Sequence, residues 1–127
     1  MGPIDAPLVT YDPAARCWKL LEEYVVWDGV YAITLRAPFS FDLASVPRWF
    51  WALLGPHELG IVGPLCHDRL YRCGGDLSAD ISPGRTYTRL ETDVLFLALM
   101  RKSGVGRFRR SVAYLAVRLF GARSWRK

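Results

Sequence analysis

Apolar runs separated by turn residues occupy the first third of the chain. Leu8-Val9-Thr10-Tyr11 is stopped by Asp12-Pro13, and residues 17–21 form a second run. Tyr24-Val25-Val26-Trp27 and residues 30–35 then flank Asp28-Gly29. Asp-Gly between two β-rich runs is a strong hairpin signal, because the favoured two-residue turns need residues that accept positive φ. Residues 8–40 are therefore expected to form a small antiparallel meander.

The pattern then becomes helical. Ser45 is a good N-cap and Pro47 fits a first turn, so a short aromatic helix is expected over Trp49-Phe50-Trp51-Ala52-Leu53-Leu54, ended by Gly55-Pro56. Gly63-Pro64 opens a second helix, which stops at Cys73-Gly74-Gly75. Residues 74–86, rich in Gly, Ser, Asp and Pro, read as a loop. Thr88 with Glu91 makes a capping box for a third helix over about 88–102, and a fourth runs from about Val105 to Phe120 with Gly121 as its C-cap. In the fourth, Phe108, Val112, Leu115 and Leu119 share one face, and Arg107, Arg110, Ser111, Tyr114 and Arg118 share another. That pattern predicts a core-packing helix with a wet basic side. The expected architecture is an α+β single domain: a β meander (8–40), about four helices (45–121) and a basic tail (122–127).

Composition adds bounds. With 127 residues, 51% of them hydrophobic, the chain can bury a core without disulfides or a structural metal. Its three cysteines, Cys17, Cys66 and Cys73, read as reduced thiols. Their spacing, even with His57 and His67 added, matches no zinc pattern. No signal sequence and no membrane span is expected, since the longest apolar runs, residues 94–100 and 112–120, are far too short.

Charge is uneven. Residues 1–100 hold all 12 acidic residues and 8 of the 17 Lys and Arg, whereas residues 101–127 hold the other 9 and no acid. Arg107, Arg110, Arg118, Arg123, Arg126 and Lys127 thus offer a contact for an anionic membrane surface, with Trp125 among them. Nucleic acid is not the expected partner, because helical amphipathicity mostly reports packing.

One constellation carries candidate chemistry. Asp93 lies in an arc with Leu90, Phe96, Leu97 and Met100 that should face the core, and a carboxylate there needs a partner. On the preceding helix His67 shares a face with Leu70 and Tyr71. If the two helices are antiparallel neighbours, His67 and Asp93 meet. The aspartate then fixes one imidazole nitrogen and leaves the other as a base. Asp68, turned about 100° away, would sit beside that nitrogen as a metal ligand or polar group. The alternative is a purely structural pair, with Tyr71 completing a satisfied network. Ser45 is explained by capping, and Asp42 with Arg48 by a local ion pair, although all three remain site candidates.

Three ordered motifs, Phe39-Ser40-Phe41-Asp42-Leu43-Ala44-Ser45-Val46-Pro47-Arg48, His67-Asp68-Arg69-Leu70-Tyr71 and Asp93-Val94-Leu95-Phe96, resemble the phage and prophage family called domain of unknown function 1353. The resemblance covers about residues 20–121 and implies a phage origin, with other particle proteins as partners, synthesis in the host cytoplasm and assembly into a virion. More distantly, H-D-x-x-Y followed by an aspartate on the next helix is similar to calcium-dependent secreted-type phospholipases. That likeness implies His67 as base, Asp68 as calcium ligand, and Asp93 with Tyr71 as supports. It does not extend to a glycine-rich calcium loop, since residues 49–56 contain no G-x-G. The expected function is a virion- or tail-associated structural or accessory protein with no cofactor. The alternative is a phospholipase-like ester hydrolase with calcium.

Overall fold

The computed structural model describes residues 7–15, 17–41 and 62–126. Within them five strands lead into three α-helices, with one further short strand between the first two helices. The α+β class is as expected. The aromatic helix predicted over residues 49–54 lies outside the described residues.

Strands β1 (Val9–Asp12), β2 (Cys17–Leu20), β3 (Tyr24–Asp28) and β4 (Tyr31–Leu35) fall where the apolar runs place them, and a further strand, β5 (Phe39–Phe41), follows them. They do not form one meander. β1, β2 and β5 make one antiparallel sheet, and β3, β4 and β6 (Ile81–Ser82) make another. β5 folds back on β2, pairing Trp18 with Phe41 and Leu20 with Phe39. This register places Leu20 and Phe41 in the core. β6 comes from the stretch read as a loop and sets Ile81 opposite Ile33, both buried. A two-residue strand is too short for alternation to reveal.

The β3–β4 hairpin is as expected but its turn is shifted by one residue. Asp28 pairs with Tyr31, so Gly29-Val30 form the connection, with Gly29 at φ 60. Favoured hairpin turns need positive φ at that first central position, which glycine adopts without steric cost. Asp28 is thereby freed to accept a hydrogen bond from Tyr87 at 2.6 Å.

The helices are α1 (Val62–Arg72), α2 (Arg89–Lys102) and α3 (Arg107–Phe120). The α2 N-terminus carries the predicted capping box: Thr88 Oγ1 accepts from the Glu91 amide and Glu91 reaches back to the Thr88 amide. Helix α2 is central. Its Leu95 and Leu99 join a core with Leu20, Ile33, Leu35 and Leu65 from the strands and α1. Its Phe96 and Met100 face α3, where Ala113, Ala116 and Val117 are buried. Leu90, expected inside, is exposed. No helix among the described residues is long and apolar enough to cross a membrane.

The face of α3 is the clearest correction. Phe108, Leu115 and Leu119, expected in the core, are 77%, 57% and 73% exposed. The small side chains Ala113 and Ala116 point inward instead, because bulky Phe96 and Met100 already fill the space between the helices. The basic tail packs back onto the domain. A 3₁₀ turn covers Gly121–Arg123, the Arg126 amide donates to the Tyr71 carbonyl at 3.0 Å, and Trp125 packs edge-on against Tyr71 at 5.0 Å.

Candidate active site

Two helices build the site. On α1, His67 and Tyr71 are four residues apart and so lie one above the other on the same face. Their ring centroids are 4.1 Å apart, and Phe96 of α2 closes the other side of the imidazole at 4.5 Å. Three residues before Phe96, Asp93 reaches into the same gap. Both His67 and Asp93 are buried, at 1% and 0% exposure.

The expected pairing is present. Asp93 Oδ1 lies 2.9 Å from His67 Nε2 and accepts from the Tyr71 hydroxyl at 2.6 Å. Oδ2 accepts from Arg118 Nη1 at 2.7 Å. Arg89 Nε donates to the Tyr71 oxygen at 3.2 Å, while its Nη2 donates to the carbonyls of Val117 and Arg118 at 2.7 and 2.8 Å. Arg89, in the first turn of α2, thus caps the last turn of α3 and supports Tyr71 at once.

These contacts fix protonation. Burial pushes the Asp93 carboxyl up, but the hydrogen bonds from His67, Tyr71 and Arg118 outweigh it and hold the carboxyl below its ordinary value. Asp93 is therefore a carboxylate that can only accept, so His67 Nε2 must carry the proton it donates. Burial in turn lowers the His67 pKa, against the opposing pull of Asp93. The positive charge of Arg89 adds to the lowering. His67 is thus neutral, with a bare lone pair on Nδ1. Nδ1 is the one buried side-chain nitrogen or oxygen among the described residues with no hydrogen-bond partner.

The other candidates fare differently. Asp68 is buried, and its Oδ2 lies 3.4 Å from Arg72 Nη2 on the next turn. It makes no hydrogen bond to His67 Nδ1, because neighbouring helical residues diverge by about 100°. Calcium requires roughly six to eight oxygen ligands. Among the described residues no group of three or more His, Cys, Asp or Glu is arranged to hold a metal. Asp42, Ser45, Arg48 and His57 lie outside the described residues. Cys66 is buried, its thiol pushed up to about 12 chiefly by burial, which suits packing and not nucleophilic attack.

Arg118 and Arg89 were missed by sequence reasoning. Periodicity puts Arg118 on the wet basic side of α3, whereas its hydrogen bond to Asp93 turns it inward and raises its pKa. A signal did exist: α2 and α3 form a helical hairpin around residues 103–106, so positions about equally distant from that turn must meet, and Asp93 and Arg118 are such a pair.

A family model described as "Protein of unknown function (DUF1353)" matches residues 18–117, a span that includes His67, Tyr71, Arg89, Asp93 and Phe96 and ends one residue before Arg118. No curated protein and no solved structure matches the chain.

Proposed function

Since the chain belongs to the DUF1353 family, whose description names no activity, the reading must come from the site, and we propose that the protein is an ester hydrolase with His67 as general base. One observation carries the reading: Nδ1 of a neutral, buried, aspartate-held imidazole is left without a partner. In the proposed step Nδ1 takes a proton from water as the water oxygen attacks the ester carbonyl carbon. The resulting imidazolium is stabilised by Asp93, and it returns the proton to the departing alkoxide. Tyr71 and Arg118 are positioning residues that hold Asp93 ionised and oriented. The likeness of His67-Asp68-Arg69-Leu70-Tyr71 to phospholipase helices points to phospholipid esters as the substrate class, with no step routed through a metal.

A second reading, an accessory or structural protein of a phage particle, is favoured by the enclosure of His67 at 1% exposure. The two separate in one experiment. Fatty acid release from mixed phospholipid vesicles is measured for the wild type and for His67→Gln, with calcium and with chelator, after both are verified as folded. The hydrolase reading expects release that falls by about a hundredfold or more in the variant, the usual scale of general-base catalysis. Equal release from both chains, or none from the folded wild type, sinks it and leaves the particle reading.

A further inference from the structure

Among the described residues, helix α3 makes its substantial contacts with α2 and with the 3₁₀ turn that follows it. Its outward side is not polar. Phe108, Leu115 and Leu119 are largely exposed, half-buried Val112 lies between them, and Phe120 at the end is 42% exposed. Spacings of four, three and four residues align positions 108, 112, 115 and 119 in a stripe about 16 Å long. The C-terminal region containing α3 carries charge of a single sign. No acid follows Asp93 in the sequence, and Asp93 is consumed internally by His67, Tyr71 and Arg118. Exposed Arg101, Lys102 and Arg107 stand at the Phe108 end, and exposed Arg123 and Arg126 at the Leu119 end.

We infer that this outward stripe of α3 is a docking surface for an anionic lipid bilayer. Three large apolar side chains project from an outer helix with cations at both ends. Such a helix lies in the interface plane, its apolar side chains among the acyl chains and its arginines at headgroup depth. A second copy of the chain fits poorly, because stripe against stripe would set arginine against arginine with no acid to relieve it. A protein partner would need a groove fitted to a convex ridge, whereas a bilayer needs only projecting apolar groups and negative charge. Arg118 takes no part, being turned inward to Asp93. The inference stands on the α3 surface alone and survives if His67 is not a base.

The full chain is tested by cosedimentation with vesicles of phosphatidylcholine alone and of phosphatidylcholine mixed with phosphatidylglycerol. Binding to the mixed vesicles is expected, weakening with salt and falling about tenfold or more for Phe108→Ser with Leu115→Ser, given the transfer energy of each side chain. Absent binding, equal binding to both vesicle types, or binding indifferent to the double substitution overturns the proposal. Two controls address other occupants of the stripe. A wild-type dimer that dissociates in the double variant would assign the stripe to a second copy. A lower Tm of the variant without vesicles would assign it to cover within the molecule. Either result also overturns the bilayer reading.

Discussion

Replacing His67 with glutamine removes a titrating group while keeping an N–H donor near Asp93, and so isolates how the fold treats the imidazole. Burial holds the folded His67 pKa below the ordinary value of 6.5. As pH falls through that value the unfolded chain takes up a proton that the folded chain refuses, and stability drops. The contribution is whole above the unfolded pKa and is lost as pH falls below it, toward the folded pKa. Between about pH 7.5 and pH 5.5 the loss is at most roughly 1.4 kcal/mol, reached if the folded imidazole takes up no proton over that range. Other groups are common to both chains and cancel in the difference. Urea unfolding of the two proteins at both pH values measures it: wild type should lose more than His67→Gln on acidification, by at most roughly 1.4 kcal/mol. Equal losses would refute the claim of a depressed pKa. A relative gain by the wild type would mean that His67 and Asp93 form an ion pair in the fold, leaving no basic lone pair on Nδ1 and removing the proposed base.

Two further perturbations test the shell around Asp93. A Cβ added at Gly121 would stand 2.9 Å from the Tyr71 hydroxyl, so Gly121→Ala should cost about 1–3 kcal/mol by overpacking and loosen Tyr71 from Asp93. Thermal unfolding of the double-mutant cycle with Tyr71→Phe should show a smaller alanine cost once the hydroxyl is gone, and strict additivity would refute the contact. Arg118→Met strands Asp93 Oδ2 without its cation and should destabilise by about 3–5 kcal/mol, less whatever water reaches the half-buried end of the pair. It should also raise the His67 pKa relative to wild type, followed by the imidazole NMR shifts, whereas an unchanged titration would show that Arg118 does not tune His67.

What could be read from sequence divides by the range of the interaction. Elements that rest on local rules emerged directly: the apolar runs gave β1 to β4, Thr88 and Glu91 gave the start of α2, and the 3.6-residue repeat put His67 and Tyr71 on one face of α1. Choices among non-local partners did not. Nothing in residues 17–41 says that β5 returns to β2 while β3 and β4 join the distant β6. The hairpin turn lies between these cases, since Asp28-Gly29 marks the bend and the pairing of Asp28 with Tyr31 selects Gly29-Val30 as its tip.

The inversion of α3 has the same origin, and it connects to the site. Periodicity tells which residues share a face but not which face goes inside. Burying Phe108, Leu115 and Leu119 would gain about 1.5–3 kcal/mol each. Against that gain stands what the observed face permits. With Ala113, Ala116 and Val117 inward, α3 lies close enough for Gly121 to sit against Tyr71, for Arg89 to reach two terminal carbonyls, and for Arg118 to reach Asp93. A buried Asp93 without its cation would alone cost about 3–5 kcal/mol. The demand of one carboxylate therefore helps decide how the last helix is seated. The His67 network and the outward apolar stripe are then two consequences of one packing choice: the arrangement that keeps Asp93 ionised beneath His67 also turns Phe108, Leu115 and Leu119 out of the core.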